Sequence, residues 1–335
     1  LRIKENMDVW RTVVQWSDDK LAEKIREDQI DILIDMSGHT AGDRLKVFAR
    51  HPAPVQITWI GYPGTTGIKA MDYILMENTV LPGKNINAQF TEKIIRIPRS
   101  YAFDVEEQLP DVTEAPCVNN NFITFGSFNR LNKINREVIA LWCEVLRKLP
   151  DSRLQMAGMP SDGAPDELLT WFKEGDISED RLYFYPRSGF IEYLKLHNQV
   201  DFCLDTFPYT GGTTTLHALW MGVPTLTLMG DTYPSAQGAG VNNRIGLDKY
   251  LVADNKEDFI AKALFLAKNN RFLQKIKSSL RVHMLENYMS DLESLVLGFE
   301  KSVYTTWSGW CGGQKPVHFE IKNKDISYQE KKIII

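Results

Sequence analysis

Residues 211–227 read GGTTTLHALWMGVPTLT, two glycines and three threonines leading into an apolar helical pattern. Gly211 and Gly212 permit close backbone approach, and Thr213, Thr214 and Thr215 fall in the first helical turn. That turn carries N–H groups with no intrahelical partner and the positive end of the helix dipole, which together suit an anion. An ordinary N-cap needs one threonine. Three hydroxyls after Gly-Gly favour a phosphate. Asp205 closes the preceding strand pattern VDFCLD, and TFPYT fills the turn between them. His217 lies four residues beyond Thr213, on the same helix face, where it would meet a sugar hydroxyl beside that phosphate. A lone helical histidine is otherwise more often structural.

Lys133 lies in FGSFNRLNKINRE, five residues past the strand pattern ending at Phe128, in a loop with Asn129 and Arg130. An ammonium on a flexible stem there would supply a point charge to the same phosphates, although an isolated lysine is more often simply solvated. In the first half, SGHTAGDR (37–44, with Gly42 and Arg44) and WIGYPGTTG (59–67, with Gly61 and Pro63) are the corresponding loops. Each follows a buried strand pattern and is rich in Gly, Thr or Pro. Ordinary turns share that composition, so neither decides anything alone. There is no Asp-x-Asp, Gly-x-Gly-x-x-Gly, Walker Gly-Lys-Ser/Thr or Gly-x-Ser-x-Gly in the chain. Those absences count against a metal-held nucleotide sugar, a dinucleotide, a P-loop nucleotide and an α/β-hydrolase.

The elements that must position these residues alternate. A helix is predicted from about Ser17 to Glu27, then strands at 30–36, 55–60, 72–76 and 93–98. The pattern fades between 101 and 121, which reads as a linker. A second series follows: strands at 122–128, 153–158, 181–186, 200–205 and 223–228, with helices at 136–149, 166–173, 189–198 and 213–221. This alternation predicts doubly wound parallel sheets, whose ligands bind at the carboxyl ends of the strands. Residues 256–307 read as mostly helical, and the stretch from Gly312 as a loosely ordered tail.

With 43% hydrophobic and 24% charged residues, the chain has the composition of a soluble globular protein. A net charge of −4 with no basic block disfavours nucleic acid or an anionic membrane as the main partner. No apolar run approaches the roughly 20 residues that cross a bilayer. Four scattered cysteines, Cys117, Cys143, Cys203 and Cys311, fit a reduced, cytoplasmic protein.

VDFCLDTFPYTGGTTTLHALWMGVPTLTLMG, FGSFNRLNKIN, DILIDMSGHTAGDRL and APVQITWIGYPGTTG, in chain order 31–45, 53–67, 125–135 and 200–230, resemble the catalytic region of the protein O-GlcNAc transferase/SPINDLY glycosyltransferases. The resemblance runs from roughly residue 20 to 300 and is nearest to bacterial members, which often carry tetratricopeptide repeats before the catalytic region. It implies a GT-B fold, two Rossmann-like parallel-sheet domains facing across a cleft. The expected division is 1–115 for a partial first domain, 116–285 for the nucleotide-sugar domain, 286–311 for a C-terminal helix and 312–335 for the tail. The family's first domain begins upstream of the segment that matches Leu1 and carries a functionally important histidine. The chain by itself is therefore expected to bind nucleotide weakly and to be inactive.

The resemblance further implies that Lys133 contacts the donor diphosphate and assists its departure, and that Gly212, Thr213 and Thr214 wrap it, with Gly211 and Thr215 added to the donor site from the residue pattern. Gly61 and Pro63 would line the donor sugar, with Gly42 and Arg44 in the neighbouring loop. His217 would meet the ribose in place of an acidic residue, Tyr193 would stack on the base, and Arg130 stands where the animal enzymes have Gln. The implied reaction is inverting, metal-independent transfer of a sugar, GlcNAc from UDP-GlcNAc, to Ser or Thr of a protein acceptor. No metal and no cofactor are expected, the nucleotide sugar being substrate. Two alternatives stay open: fucose transfer from GDP-fucose, and a module that holds a nucleotide sugar without catalysis.

Overall fold

The computed structural model describes residues 3–80, 85–99, 109–289 and 292–325. The strands are β1 Ile32–Asp35, β2 Val55–Thr58, β3 Tyr73–Glu77, β4 Lys93–Ile97, β5 Thr124–Ser127, β6 Arg153–Met159, β7 Leu182–Pro186, β8 Phe202–Leu204, β9 Thr225–Leu228, β10 Val252–Ala253 and β11 Phe319–Glu320. They form two sheets, β1-β2-β3-β4-β11 and β10-β9-β8-β5-β6-β7. The chain divides accordingly into two compact units, one from residues 1–76, 87–100 and 296–335, the other from 77–86 and 101–295.

In the first unit β2 and β3 are buried along their whole length, as strands covered on both faces must be. Ile57, Tyr73, Leu75, Ile95 and Ile97 make its core. The helix Asp18–Glu27 starts at Ser17, whose hydroxyl accepts from the Lys20 N–H.

One expectation fails in this unit. The C-terminal helix is Leu292–Cys311, and it packs on this unit's core: Phe299 stacks on Trp59 with ring centroids 4.8 Å apart, and Trp307 packs on the same core. The stretch after Gly312 is not a loose tail through its described part. Residues 319–320 pair in parallel with β4, the Ile94 N–H donates to His318 Nδ1 at 2.9 Å, and Ile321 is buried. Residues 326–335 of the expected tail lie outside the described residues. The cause is legible afterwards: β4 would otherwise be a bare edge, and an edge strand gains from a partner even two residues long.

The second unit has the strand order of a dinucleotide-binding sheet, reading β7-β6-β5-β8-β9-β10 from one edge to the other. Its core gathers around Phe125, Trp142, Phe172, Phe202, Leu226 and Phe259, with a further cluster around Phe128, Val200 and Cys203. The predicted linker is partly built into this unit. Residues 101–108 lie outside the described residues, but the Ala115 N–H donates to Gln274 Oε1 at 2.9 Å and the Cys117 N–H to Asp201 Oδ1 at 2.8 Å.

Among the described residues the short helices Leu45–Phe48, Cys117–Asn120 and Asp248–Leu251 escaped the sequence reading, and so did a long one, Tyr233–Arg244. Its segment YPSAQGAGVNNR holds two glycines and few apolar residues, so propensity argues against it. Packing overrides propensity. A Cβ on Gly238 would stand 2.6 Å from both Asp205 Oδ2 and Thr227 Oγ1, so the helix reaches the sheet only with glycine there. Thr232 and Ser235 form a capping box that starts it.

Phe202 on β8 is fully buried and meets Phe125 edge-on at 4.9 Å. Phe202→Ala is expected to cost about 3–5 kcal/mol, read as a lower urea midpoint with an unchanged slope.

Candidate functional site

In the second sheet the strand order reverses between β5 and β8, so the loops leaving their carboxyl ends splay to opposite sides and open a crevice. The β5 loop brings Asn129, Arg130 and Lys133; the β8 loop brings Asp205 to Gly212 and then the helix Thr213–Trp220. Both loops are joined by one carboxylate. Asp205 is 1% exposed. Its Oδ1 accepts from Asn129 Nδ2 at 2.9 Å, the Thr206 N–H at 2.9 Å and the Gly211 N–H at 2.8 Å. Its Oδ2 accepts from Thr227 Oγ1 at 2.8 Å. Burial pushes its pKa up, against the Thr227 and Gly211 hydrogen bonds and the Lys133 charge. Since all these partners donate, the hydrogen-bond set is that of an ionised carboxylate.

Asn129 passes the tie on, its Oδ1 accepting from Thr214 Oγ1 at 2.8 Å. Thr210 adds a third contact: its hydroxyl donates to the Pro234 carbonyl at 3.0 Å and accepts the Gly238 N–H at 3.0 Å. Gly211 is required here. A Cβ would press into the hydroxyls of Thr215 and Thr214 and come within 3.2 Å of Asp205 Oδ1.

The three threonines do not act alike. Thr215 is buried and Thr214 is bonded to Asn129, so of the three only Thr213 is exposed. The expectation of three hydroxyls turned to a ligand reduces to the start of the helix, which no side chain caps. Its first-turn N–H groups have no intrahelical partner by construction. Lys133 reaches the same loop. Its Nζ donates to the Thr210 carbonyl at 2.7 Å and sits 3.8 Å from the centroid of the Tyr209 ring. Burial lowers its pKa, Asp205 opposes this, and Arg130 adds to the lowering. Arg130 itself is exposed.

Tyr193 and His217, which the sequence could pair only by resemblance, are in contact: the phenol oxygen lies 3.3 Å from His217 Nδ1. Phe190 closes the group, 5.2 Å from the His217 ring and 6.3 Å from that of Tyr193. Burial pushes His217 down to about 4 and the neighbouring His197 down to about 3, and raises the Tyr193 phenol. The imidazole of His217 is therefore neutral near pH 7, able to accept as well as donate.

The first unit carries a smaller version of the lock. Asp35, at the end of β1, accepts from the N–H groups of Ser37 and Gly38 and from Thr58 Oγ1 at 2.7 Å on β2. Gly61 lies so close to Met36 and Ser37 that any side chain there would collide with their backbone. Ile60, an exposed β-branched residue, is held at φ 63° in the loop that continues to Pro63, a conformation that costs about 1–3 kcal/mol. Gly42 is exposed with φ 83° and open space around it. Arg44 serves the structure. Its Nε donates to Asp18 Oδ1 at 2.8 Å, while its terminal nitrogens donate to the carbonyls of Val13 and Trp16. It fastens the segment before the first helix, which accounts for it without a ligand.

Sequence reasoning named Lys133 and the Gly/Thr run, and placed Asn129 and Asp205 beside them without a role, but passed over Thr227 and Gly238. The available signal was an aspartate ending an apolar strand, followed at once by threonine. Among the described residues no group of three or more His, Cys, Asp or Glu is placed to hold a metal ion, and no helix is long and apolar enough to cross a membrane.

The family description Glycosyl transferase family 41 matches residues 7–121 and 114–296. The chain belongs to glycosyl transferase family 41. It is 35% identical over 312 residues to the probable UDP-N-acetylglucosamine–peptide N-acetylglucosaminyltransferase SPINDLY of Hordeum vulgare, covering 92% of this chain and 33% of that protein. The Arabidopsis thaliana SPINDLY is 34% identical, with 92% and 34% covered. This family 41 chain thus spans about a third of the length of the curated relatives it matches. Among solved structures, a mutant O-GlcNAc transferase of Thermobaculum terrenum superposes with TM-score 0.84 at 34% identity, covering 93% of this chain and 59% of that one. The two parallel-sheet units are those of the GT-B class.

Asp205→Asn sets an amide donor against donors and is expected to cost about 2–3 kcal/mol, measured by chemical denaturation. The histidines set a pH dependence. Unfolded imidazoles protonate near their ordinary 6.5, while the folded ones resist until about 4 and about 3. Stability present above 6.5 is therefore lost as pH falls through that window. Urea midpoints are expected to be lower at about pH 5 than at about pH 7.5, and His217→Gln to flatten that slope.

Proposed function

We propose that this chain carries the donor site of a protein glycosyltransferase that moves GlcNAc from UDP-GlcNAc to serine or threonine hydroxyls, with inversion at the anomeric carbon and without a metal. The observation that carries the reading is the junction of Lys133 with the uncapped start of the helix Thr213–Trp220, both fixed at the switch point of the sheet. A diphosphate seated there would accept from the first-turn N–H groups and Thr213, with the ammonium of Lys133 beside it. The acceptor oxygen forms a bond to the anomeric carbon as the bond to the diphosphate oxygen breaks, and the hydroxyl proton leaves to a base. Negative charge accumulates on the departing diphosphate, and a charge already fixed in position stabilises it most. Lys133 can do this without reorganising, because Thr210 and Tyr209 hold it in place.

Tyr193 and His217 form the wall for the base and ribose, His217 accepting from a ribose hydroxyl as a neutral ring. The loops around Gly42 and from Gly61 to Pro63 belong to the donor-sugar side of the reading. The relatives' names support UDP-GlcNAc and a peptide acceptor, and the missing Asp-x-Asp supports charge compensation by protein groups. Upstream tetratricopeptide repeats in the full-length protein and a cytoplasmic location complete the proposal.

The test is transfer of radiolabelled sugar to a protein acceptor by the full-length protein, offered UDP-GlcNAc and GDP-fucose in parallel. UDP-GlcNAc is expected to be the donor used, with turnover unchanged by EDTA. Lys133→Ala is expected to reduce turnover by about 10²–10³ with the fold intact by circular dichroism. Transfer from GDP-fucose alone, or loss in EDTA restored by Mg²⁺, would contradict the donor or the metal-free part of the reading.

A further inference from the structure

The helix Tyr233–Arg244 follows β9, the strand beside β8, so it begins at the same edge of the sheet as the helix Thr213–Trp220. Its first turns are held against the loop that leaves β8. The Gly238 N–H donates to Thr210 Oγ1 at 3.0 Å, and both the hydroxyl and the N–H of Thr210 donate to the Pro234 carbonyl. Residues 234 and 238 are therefore fixed, and Gln237 lies between them. It adjoins Gly212, the residue from which the helix Thr213–Trp220 starts: a Cβ on Gly212 would stand 3.4 Å from Gln237 Oε1, an ordinary van der Waals contact.

The carboxamide of Gln237 is half-buried and engaged by no hydrogen bond among the described residues, and neither of its polar atoms is shut away from solvent. Its oxygen is the atom turned to Gly212, as the positive end of the helix dipole favours. Half a turn about the last side-chain bond brings the NH₂ group to the same place. A lysine there would repel the helix start when nothing is bound, and a carboxylate would repel an anion when one is. Glutamine suits both states.

We propose that Gln237 is a donor-binding residue. In the free protein Oε1 lies toward the uncapped helix start; when a nucleoside diphosphate seats there, the carboxamide turns and donates from Nε2 to a phosphate oxygen. This rests on the donor-site reading and extends it. Lys133 comes from the β5 loop, the first-turn N–H groups follow β8, and Gln237 adds a neutral donor from the element after β9. The phosphates are then held from three elements of the sheet edge.

Calorimetric titration of the full-length protein with UDP, and with uridine as the probe that lacks phosphate, tests this. Gln237→Leu keeps the bulk and removes the donor. It is expected to weaken UDP about tenfold, the size of one hydrogen bond to a charged group, and to leave uridine unchanged. Gln237→Glu is expected to weaken UDP more than the leucine does, yet to slow hydrogen exchange of residues 212–217 in the ligand-free protein, because a carboxylate accepts from the first-turn N–H groups. A purely structural role would not produce those opposite effects. Lys133→Ala separates the two readings: UDP bound equally well by that variant overturns the donor site and this inference with it. Three results overturn the inference about Gln237 alone, with Lys133→Ala still weakening UDP: wild-type UDP affinity in Gln237→Leu, loss of uridine in proportion to UDP, or unchanged exchange in Gln237→Glu.

Discussion

The geometry of the candidate site rests on where the Asp205 charge is put. The carboxylate sits at the end of a central strand, out of water, where an unpaired charge would be prohibitive. Four hydrogen-bond donors are therefore drawn to it from three places: the neighbouring strand through Thr227, its own loop through Thr206 and Gly211, and the β5 loop through Asn129. Each donor fixes a different piece of chain. Because Gly211 is fixed, the helix that follows starts where its N–H groups face the crevice; because Asn129 is fixed, the loop bearing Lys133 closes onto Thr210. Loss of that one charge would release both loops together. The arrangement keeps Lys133 and the uncapped helix start in place without a ligand, which is what the proposed electrostatic stabilisation of a departing diphosphate requires.

The same logic explains why the first unit holds a similar device. Asp35 and Thr58 relate to β1 and β2 as Asp205 and Thr227 relate to β8 and β9, a strand-end acid bonded to a threonine on the adjacent strand. In both, the acid also gathers N–H groups of the loop that leaves its strand. Parallel strands end in loops with unspent backbone donors, and a buried aspartate is a compact way to organise them.

Strands were legible in the sequence because buried parallel strands write themselves as short apolar runs, as in ILID of β1 and YILME of β3. Helices with an amphipathic stripe, such as Arg136–Lys148, were equally plain. The helix Tyr233–Arg244 was not, since its glycines answer to a carboxylate across the interior and not to any local rule. Nor was β11, whose two residues owe their conformation to an edge more than two hundred positions away. At the site, Lys133 and the threonine run could be named from type and place. The division of labour among Thr213, Thr214 and Thr215 could not, because it depends on Asn129 reaching over from another strand.

The route of the chain through the two units bears on how the protein is made. The second unit is nearly continuous, so it can complete its core while the ribosome is still adding residues 296–335. The first unit cannot: β11 and the helix bearing Phe299 are the final pieces of a sheet whose other strands were synthesised before β5 began. During synthesis β4 waits with an open edge and the Trp59 side of the sheet waits for Phe299, a state prone to wrong pairing. Folding of the second unit shortens that hazard, because a compact body brings its two ends nearer than a free coil of the same length would. Errors in the second unit would then show first as aggregation of the first.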